Sequence, residues 1–170
     1  MFRSNIKLLG WSTIIVIIDQ FTKMLIKQFM QERDSISVVG DILRLTYVKN
    51  PGMAFGIQIG GRLFYTVFAS IACVIILAAL FRLRPENFSA RFALATILGG
   101  AVGNLIDRFV YSEVVDFIDV RIIHWPVFNF ADIAVFIGMV ILITIVIFEK
   151  RLEESEAEEE QFETGLGNFK

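Results

Sequence analysis

LLGWSTIIVIIDQFTKMLIKQ, residues Leu8–Gln28, is the stretch that decides the fold class. A helix needs about 20 mostly apolar residues to cross the hydrocarbon core of a bilayer. This segment has that length, yet it carries Asp19 and Lys23 four residues apart, with the acid first. Charges inside a span are costly and by default mark function. The bland alternative is a favourable helix pair in which acid and base neutralise each other. With Leu8 at one boundary and about 1.5 Å rise per residue, Asp19 lies roughly 17 Å in and Lys23 roughly 22 Å in. Both belong to the half of the span remote from the N-terminus.

Three more segments read the same way: Leu63–Phe81, Phe92–Val110 and Ala131–Phe148. The chain of 170 residues is 55% hydrophobic and 20% charged, and it holds seventeen phenylalanines. Soluble domains carry about a quarter charged residues. The apparent acidity, a net charge of −2, belongs to the C-terminus, where eight glutamates follow from Glu149 onward. Without that stretch the body is slightly basic and very apolar, which is the composition of a membrane protein. A basic stripe for nucleic acid is missing, so nucleic acid is excluded as a partner. The single cysteine, Cys73, rules out an internal disulfide and reads as a small buried hydrophobe. Arg3 and Lys7 precede the first apolar run as in a signal peptide, but without a small-residue cleavage site the run reads as an uncleaved anchor.

Four spans place both termini on one side. A count of basic residues on the two sides ties. The tight turn holding Arg82, Arg84 and Arg91 breaks the tie and puts the termini in the cytoplasm. In the connector 29–62, Leu43, Leu45 and Tyr47 alternate with Arg44, Thr46 and Val48, the pattern of a half-buried strand. NPG then marks a turn, and MAFGIQIG is the expected return strand. The expected fold is therefore all-α: four transmembrane helices with a small extracytoplasmic β-sheet, at about 36–58, between helices 1 and 2. Residues 1–148 form the membrane domain, and the acidic tail 149–170 is expected to lack regular structure.

Polar residues gather in one layer. Asn104, Asp107 and Arg108 close the third span, Asp116 follows it, and Asp132 opens the fourth. The inner halves of the spans read as apolar. Several of these residues have plain structural readings. Gly99 and Gly103 have the spacing of a close helix crossing. Asn104 and Arg108, one turn apart, suit a tie to the outer loop. His124, beside Trp125 and Pro126, reads as an interfacial side chain. Asn129 and Asp132 suit a helix-capping pair, which accounts for Asp132 alone and leaves Asp116 unexplained. Two carboxylates held close in a low dielectric cannot both ionise, so one stays charged while the other keeps a proton. The charged member can deprotonate a water and the protonated one can polarise a carbonyl. A carboxylate pair alone suits a proton pathway equally well. No serine or cysteine is accompanied by a plausible base, so a covalent nucleophile is poorly supported.

Five strings in order decide between these readings: DQFTK at 19–23, NPGMAF at 50–55, GGAVGNLIDR at 99–108, VVDF at 114–117 and FNFAD at 128–132. Together they resemble the bacterial lipoprotein signal peptidases (signal peptidase II), over residues 8 to 148. The acidic tail lies outside that pattern. The resemblance implies an inner-membrane aspartic endopeptidase that cuts diacylglyceryl-modified prolipoproteins before the lipidated cysteine. It implies Asp116 and Asp132 as the catalytic dyad, and Asn50, Gly52, Asn104, Arg108 and Asn129 as residues lining or bracing the substrate pocket. Asp19, Lys23 and Asp107 match positions that look like supports.

No metal ion and no cofactor is expected. The expected partners are the lipidated substrate and membrane lipid, and the expected state is a monomer with its site near the outer face. An ion- or proton-coupled carrier, or a non-catalytic lipid-binding scaffold, would use the same acids. A carrier needs a polar path to both faces and usually two repeats, which the sequence does not display. Asp132 lies in the first turn of a helix, where a negative charge is favoured, so the shared proton is expected on Asp116.

Overall fold

The computed structural model describes residues 2–52, 61–84, 86–123 and 125–167. Helix α1 (Phe2–Phe29) leads into a hairpin of β1 (Ser35–Val39) and β2 (Leu43–Asn50). Then come α2 (Arg62–Arg82), α3 (Phe88–Val110), β3 (Val114–Val120), one 3-10 turn (Arg121–Ile123) and α4 (Phe130–Gly167). Among the described residues, four helical stretches are long and apolar enough to cross a membrane: Asn5–Phe29, Leu63–Arg82, Phe88–Val110 and Phe130–Arg151. They coincide with the four expected spans to within a few residues.

Helix α3 is the centre of the bundle and packs against α1, α2 and α4. Small residues make this possible, as helices in lipid associate through close packing rather than through a hydrophobic drive. A Cβ on Gly103 would stand 2.5 Å from Asp19 Oδ2, and one on Gly99 would stand 2.9 Å from the Ser12 carbonyl oxygen. The Gly99–Gly103 spacing is thus the expected close crossing, made with α1. Outward faces stay apolar: Ile17 and Phe21 on α1, Ile75 on α2 and Phe136 on α4 are all exposed, where lipid replaces water.

At the end bearing both chain termini, Leu8, Leu80, Leu94 and Ala95 form a buried cluster. This end is not purely apolar, which corrects the sequence expectation. Asn5, Ser12, Arg91 and Thr96 are buried there as well. They tie α1 to α3: Arg91 donates to Asn5, Ser12 Oγ donates to the Ala95 carbonyl at 2.7 Å, and Trp11 Nε1 donates to Thr96 Oγ1 at 3.0 Å. Sequence spacing placed Arg91 in a turn; in the fold it lies in the first turn of α3, facing α1.

At the opposite end the described residues form a three-stranded antiparallel sheet, in the order β1-β2-β3. The expected strand over 43–48 is β2, and its hairpin partner β1 precedes it. The expected return strand MAFGIQIG falls on residues 53–60, outside the described residues. A third strand comes from VVDFIDV, a stretch that follows the third span without the alternation that marks a strand. Alternation failed there because both faces are covered, and Val114, Val115, Asp116 and Phe117 are all buried. Val115 and Phe117 pack with Ile26, Met30 and Tyr47 on one face. Helix α3 hands over to β3 abruptly: Ser112 takes a left-handed conformation (φ 65°), and its N–H bonds the Asp107 carbonyl at 3.1 Å.

The tail also differs from expectation. Helix α4 does not stop near Phe148 but runs on to Gly167. Its extension is rich in Glu, a good helix former, and meets no proline or glycine before Gly165.

Candidate active site

The chain entering α4 is stitched to the sheet. Phe128 N–H bonds the Ile118 carbonyl at 3.0 Å, and Ile118 N–H returns to the Phe128 carbonyl at 2.7 Å. That bridge sets the next residue, Asn129, beside Asp116 of β3. Asn129 is fully buried, and each of its polar groups is used. Its Nδ2 donates to Asp116 Oδ1 at 2.7 Å and to Asn104 Oδ1 at 3.0 Å. Its Oδ1 accepts the Asp132 N–H at 3.0 Å, while its own N–H donates to Asp132 Oδ2 at 3.1 Å. The last two bonds form a reciprocal helix cap. The capping reading of Asp132 is therefore correct, and it coexists with a carboxylate pair sharing one neighbour.

The remaining oxygens of the two aspartates are also engaged. Asn50 Nδ2 donates to Asp116 Oδ2 at 2.9 Å, and Asn104 Nδ2 donates to Asp132 Oδ1 at 2.8 Å. Asp116 is 2% exposed. Burial first, and the charge of Asp132 second, push its carboxyl up to about 7. Arg108 contributes main-chain ties: it donates to the Asn104 carbonyl at 3.3 Å and to the Gly52 carbonyl at 3.4 Å. Gly52 N–H in turn bonds Asn50 Oδ1 at 3.0 Å. Arg108 and Gly52 thus hold the Asn50 end of the site, and Asn104 takes part from α3.

Beneath this layer, Lys23 is fully buried between Asp19 at 2.9 Å and Asp107 at 3.0 Å. It also donates to Asn104 Oδ1 at 2.8 Å. The expected Asp19–Lys23 pair exists, but two carboxylates share the ammonium, so it does not neutralise itself in isolation. The spare oxygens of those acids grip the backbone beside the dyad. Asp19 Oδ1 accepts the Ala131 N–H at 3.0 Å, and Asp107 Oδ2 accepts the Val115 N–H at 3.2 Å. Ala131 immediately precedes Asp132, and Val115 immediately precedes Asp116. Sequence reasoning missed Gln20, whose Nε2 reaches Asp19 and Asp107, each at 3.1 Å, and the Gly103 carbonyl at 3.0 Å. The signal was present, as Gln20 lies inside the DQFTK string.

All ten candidate residues therefore converge. His124 lies outside the described residues. Among the described residues, no group of His, Cys, Asp and Glu is arranged to hold a metal ion. The arrangement suits proton exchange between a water and a carbonyl oxygen. Two carboxylates in different surroundings are held at fixed spacing by neutral amides.

Comparison with known proteins gives a consistent result. The sequence profile described as Signal peptidase (SPase) II matches residues 11–148. A lipoprotein signal peptidase of Moorella thermoacetica is 44% identical over 129 residues, covering 76% of this chain and 85% of that protein. One from Brevibacillus brevis is 42% identical over 132 residues, covering 78% of this chain and 89% of that protein. A bacterial membrane enzyme solved by the in meso method at 2.3 Å superposes with a TM-score of 0.79 at 32% identity, covering 85% of this chain and 89% of that one.

Proposed function

Because this chain belongs to the signal peptidase II family and is a multi-pass membrane peptidase, we propose that it acts as an aspartic endopeptidase within the bacterial inner membrane. Its substrates are prolipoproteins already carrying a diacylglyceryl group, cut before the lipidated cysteine. The termini face the cytoplasm and the sheet faces outward, which puts the site where a signal peptide's apolar segment ends. The observation that carries this reading is the tie of both Asp116 and Asp132 to the single buried residue Asn129.

The chemistry follows from the two environments. Asp132, in the first turn of α4, is favoured as the carboxylate by the helix N-terminus. Asp116, desolvated and beside that charge, holds the proton. The Asp132 carboxylate takes a proton from a water as its oxygen bonds the scissile carbonyl carbon, and Asp116 gives its proton to the carbonyl oxygen. In the collapse of this tetrahedral diol, Asp132 protonates the leaving nitrogen and Asp116 recovers a hydroxyl proton. The C–N bond breaks and the original protonation state returns. No covalent enzyme intermediate is formed, and Asn50, Asn104 and Asn129 hold the carboxylates in register throughout.

The deciding experiment supplies purified enzyme in detergent with a prolipoprotein peptide, in diacylglyceryl-modified and unmodified forms. Expected is a single cut before the modified cysteine, read by mass, with the unmodified peptide left intact. Detergent removes any transport readout, so a failure to cut the modified peptide overturns the proteolytic reading.

A further inference from the structure

A hollow lies on the reverse face of the sheet. Lys27, Tyr47, Lys49, Tyr111, Glu113 and Val115 line a hollow of about 200 Å³. In the β2–β3 register, Lys49 stands opposite Val115, whereas Val48 stands opposite Asp116. Because successive side chains alternate faces, Lys49 and Val115 point away from the dyad. The hollow is thus separated from the active site by the thickness of the sheet.

Its chemistry is unlike that of the site. Lys27, in the last turn of α1, lies 3.9 Å from the centre of the Tyr111 ring. That arrangement holds an ammonium by the ring's negative face without consuming its hydrogen-bond donors. Lys49 contacts Glu32 at 3.0 Å, which leaves further ammonium donors. The hydrogen bond to Glu32 pushes Lys49 above the ordinary lysine range, so it stays charged. The surroundings say where the hollow sits. Phe29, Phe109, Val110 and Tyr111 are exposed at the same ends of α1 and α3. Aromatic side chains and lysines at span ends mark the boundary between hydrocarbon and head groups.

We propose that this hollow binds the phosphodiester head group of a membrane phospholipid, with Lys27 and Lys49 on the phosphate oxygens and the acyl chains descending beside Phe109 and Val110. Ammonium groups held at head-group level give phosphate oxygens charge-assisted hydrogen bonds. Glu113 at the same wall accepts a hydrogen bond from a hydroxyl or amine on the head group. The lipid is distinct from the substrate, whose diacylglyceryl group carries no phosphate. This inference rests on the four spans and not on the proteolytic reading. Its consequence is structural: a head group against Val115 fixes β3 from behind, one residue from Asp116.

The test uses delipidated full-length enzyme in detergent and compares three probes by thermal unfolding: dioleoylphosphatidylglycerol, dioleoylglycerol with the same chains but no phosphate, and glycerol 3-phosphate with no chains. Expected is a melting-temperature rise of several degrees for the phospholipid beyond that for dioleoylglycerol, and none for glycerol 3-phosphate. The increment should vanish in the double variant Lys27→Gln/Lys49→Gln and persist in Lys27→Arg/Lys49→Arg, which keeps the charge. Native mass spectrometry should show one phospholipid retained by wild type and lost from the glutamine variant. Equal stabilisation by phospholipid and dioleoylglycerol, a full effect of glycerol 3-phosphate, or retention by the glutamine variant would each overturn the proposal.

Discussion

Asn129 Nδ2 lies 2.7 Å from Asp116 Oδ1, and this one contact joins the strand that carries one aspartate to the helix cap that carries the other. A neutral amide is the right group for the position. It donates to Asp116 and accepts from the Asp132 N–H without adding a charge that would fix either protonation state. Asn129→Ala is expected to leave the protein inserted but lower kcat about 100-fold, the loss usual when a catalytic group drifts by about an ångström. Steady-state cleavage of the lipidated peptide measures it, and an unchanged kcat would remove Asn129 from its positioning role.

Asp116→Asn and Asp132→Asn keep the size of each side chain and remove its ability to exchange a proton. Each is expected to reduce turnover by several orders of magnitude with the folded state retained, and the double variant by little more than either single one. Such non-additivity marks groups that act as a unit. Turnover within tenfold of wild type for either variant would contradict the dyad.

The pH dependence follows from Asp116. Its carboxyl stands near 7, raised by burial and by the charge of Asp132. Activity should fall as pH rises through about 7, because both carboxylates are then ionised and no proton remains for the carbonyl oxygen. Stability moves the same way. Between about 4 and about 7 the folded state binds a proton that the unfolded chain has released, so stability declines with rising pH by at most about 1.4 kcal/mol per unit, and this contribution is flat outside that window. Cleavage rates and melting temperatures across pH 4 to 9 test both statements, and a rate still climbing above pH 8 would refute the assignment.

Lys23 is worth more to the fold than to the chemistry. Lys23→Met removes the cation shared by Asp19 and Asp107, leaving two buried carboxylates uncompensated. Breaking a buried ion pair from one side costs about 3–5 kcal/mol, so a marked fall in melting temperature is expected. The triple variant Asp19→Asn/Lys23→Met/Asp107→Asn should recover much of that loss, because no buried charge is stranded. Equal stability of Lys23→Met and wild type would show that the ammonium is not the keystone of this layer.

Gly103→Ala places a methyl group 2.5 Å from Asp19 Oδ2. The carboxylate must move, and with it the hydrogen bond from Ala131 N–H. The expected result is a loss of thermal stability of about 1–3 kcal/mol together with reduced turnover. Gly61→Ala serves as the control, because among the described residues nothing lies within 4 Å of its added carbon.

The sequence carried the spans, the polar layer and the residues that the fold gathers around Asp116 and Asp132, because span length and the five strings are local properties. It did not carry β3. VVDFIDV lacks alternation once Phe117 packs on Ile26 while Asp116 faces the site, and a strand buried on both faces cannot be told from an apolar connector by period alone. It did not carry the burial of Arg91 either, as an arginine near a span end is usually solvated. Nor did it show that Asp19 and Asp107 act on the N–H groups of Ala131 and Val115. The first contact joins α1 to α4 across 112 positions, and the second joins the end of α3 to β3 across the turn at Ser112, so neither follows from local spacing.

The pairing of Phe128 with Ile118 has a mechanical meaning. Helices in a bilayer tilt to match its thickness, and each could drag its own aspartate along. Here the root of α4 is bolted to the strand bearing Asp116, so a tilt pivots about the pair instead of shearing it. A thinner or thicker bilayer then changes how a signal peptide seats itself between the helices, while the gap between the two carboxylates stays constant. The bridge insulates the spacing of the pair from the tilt of the helices.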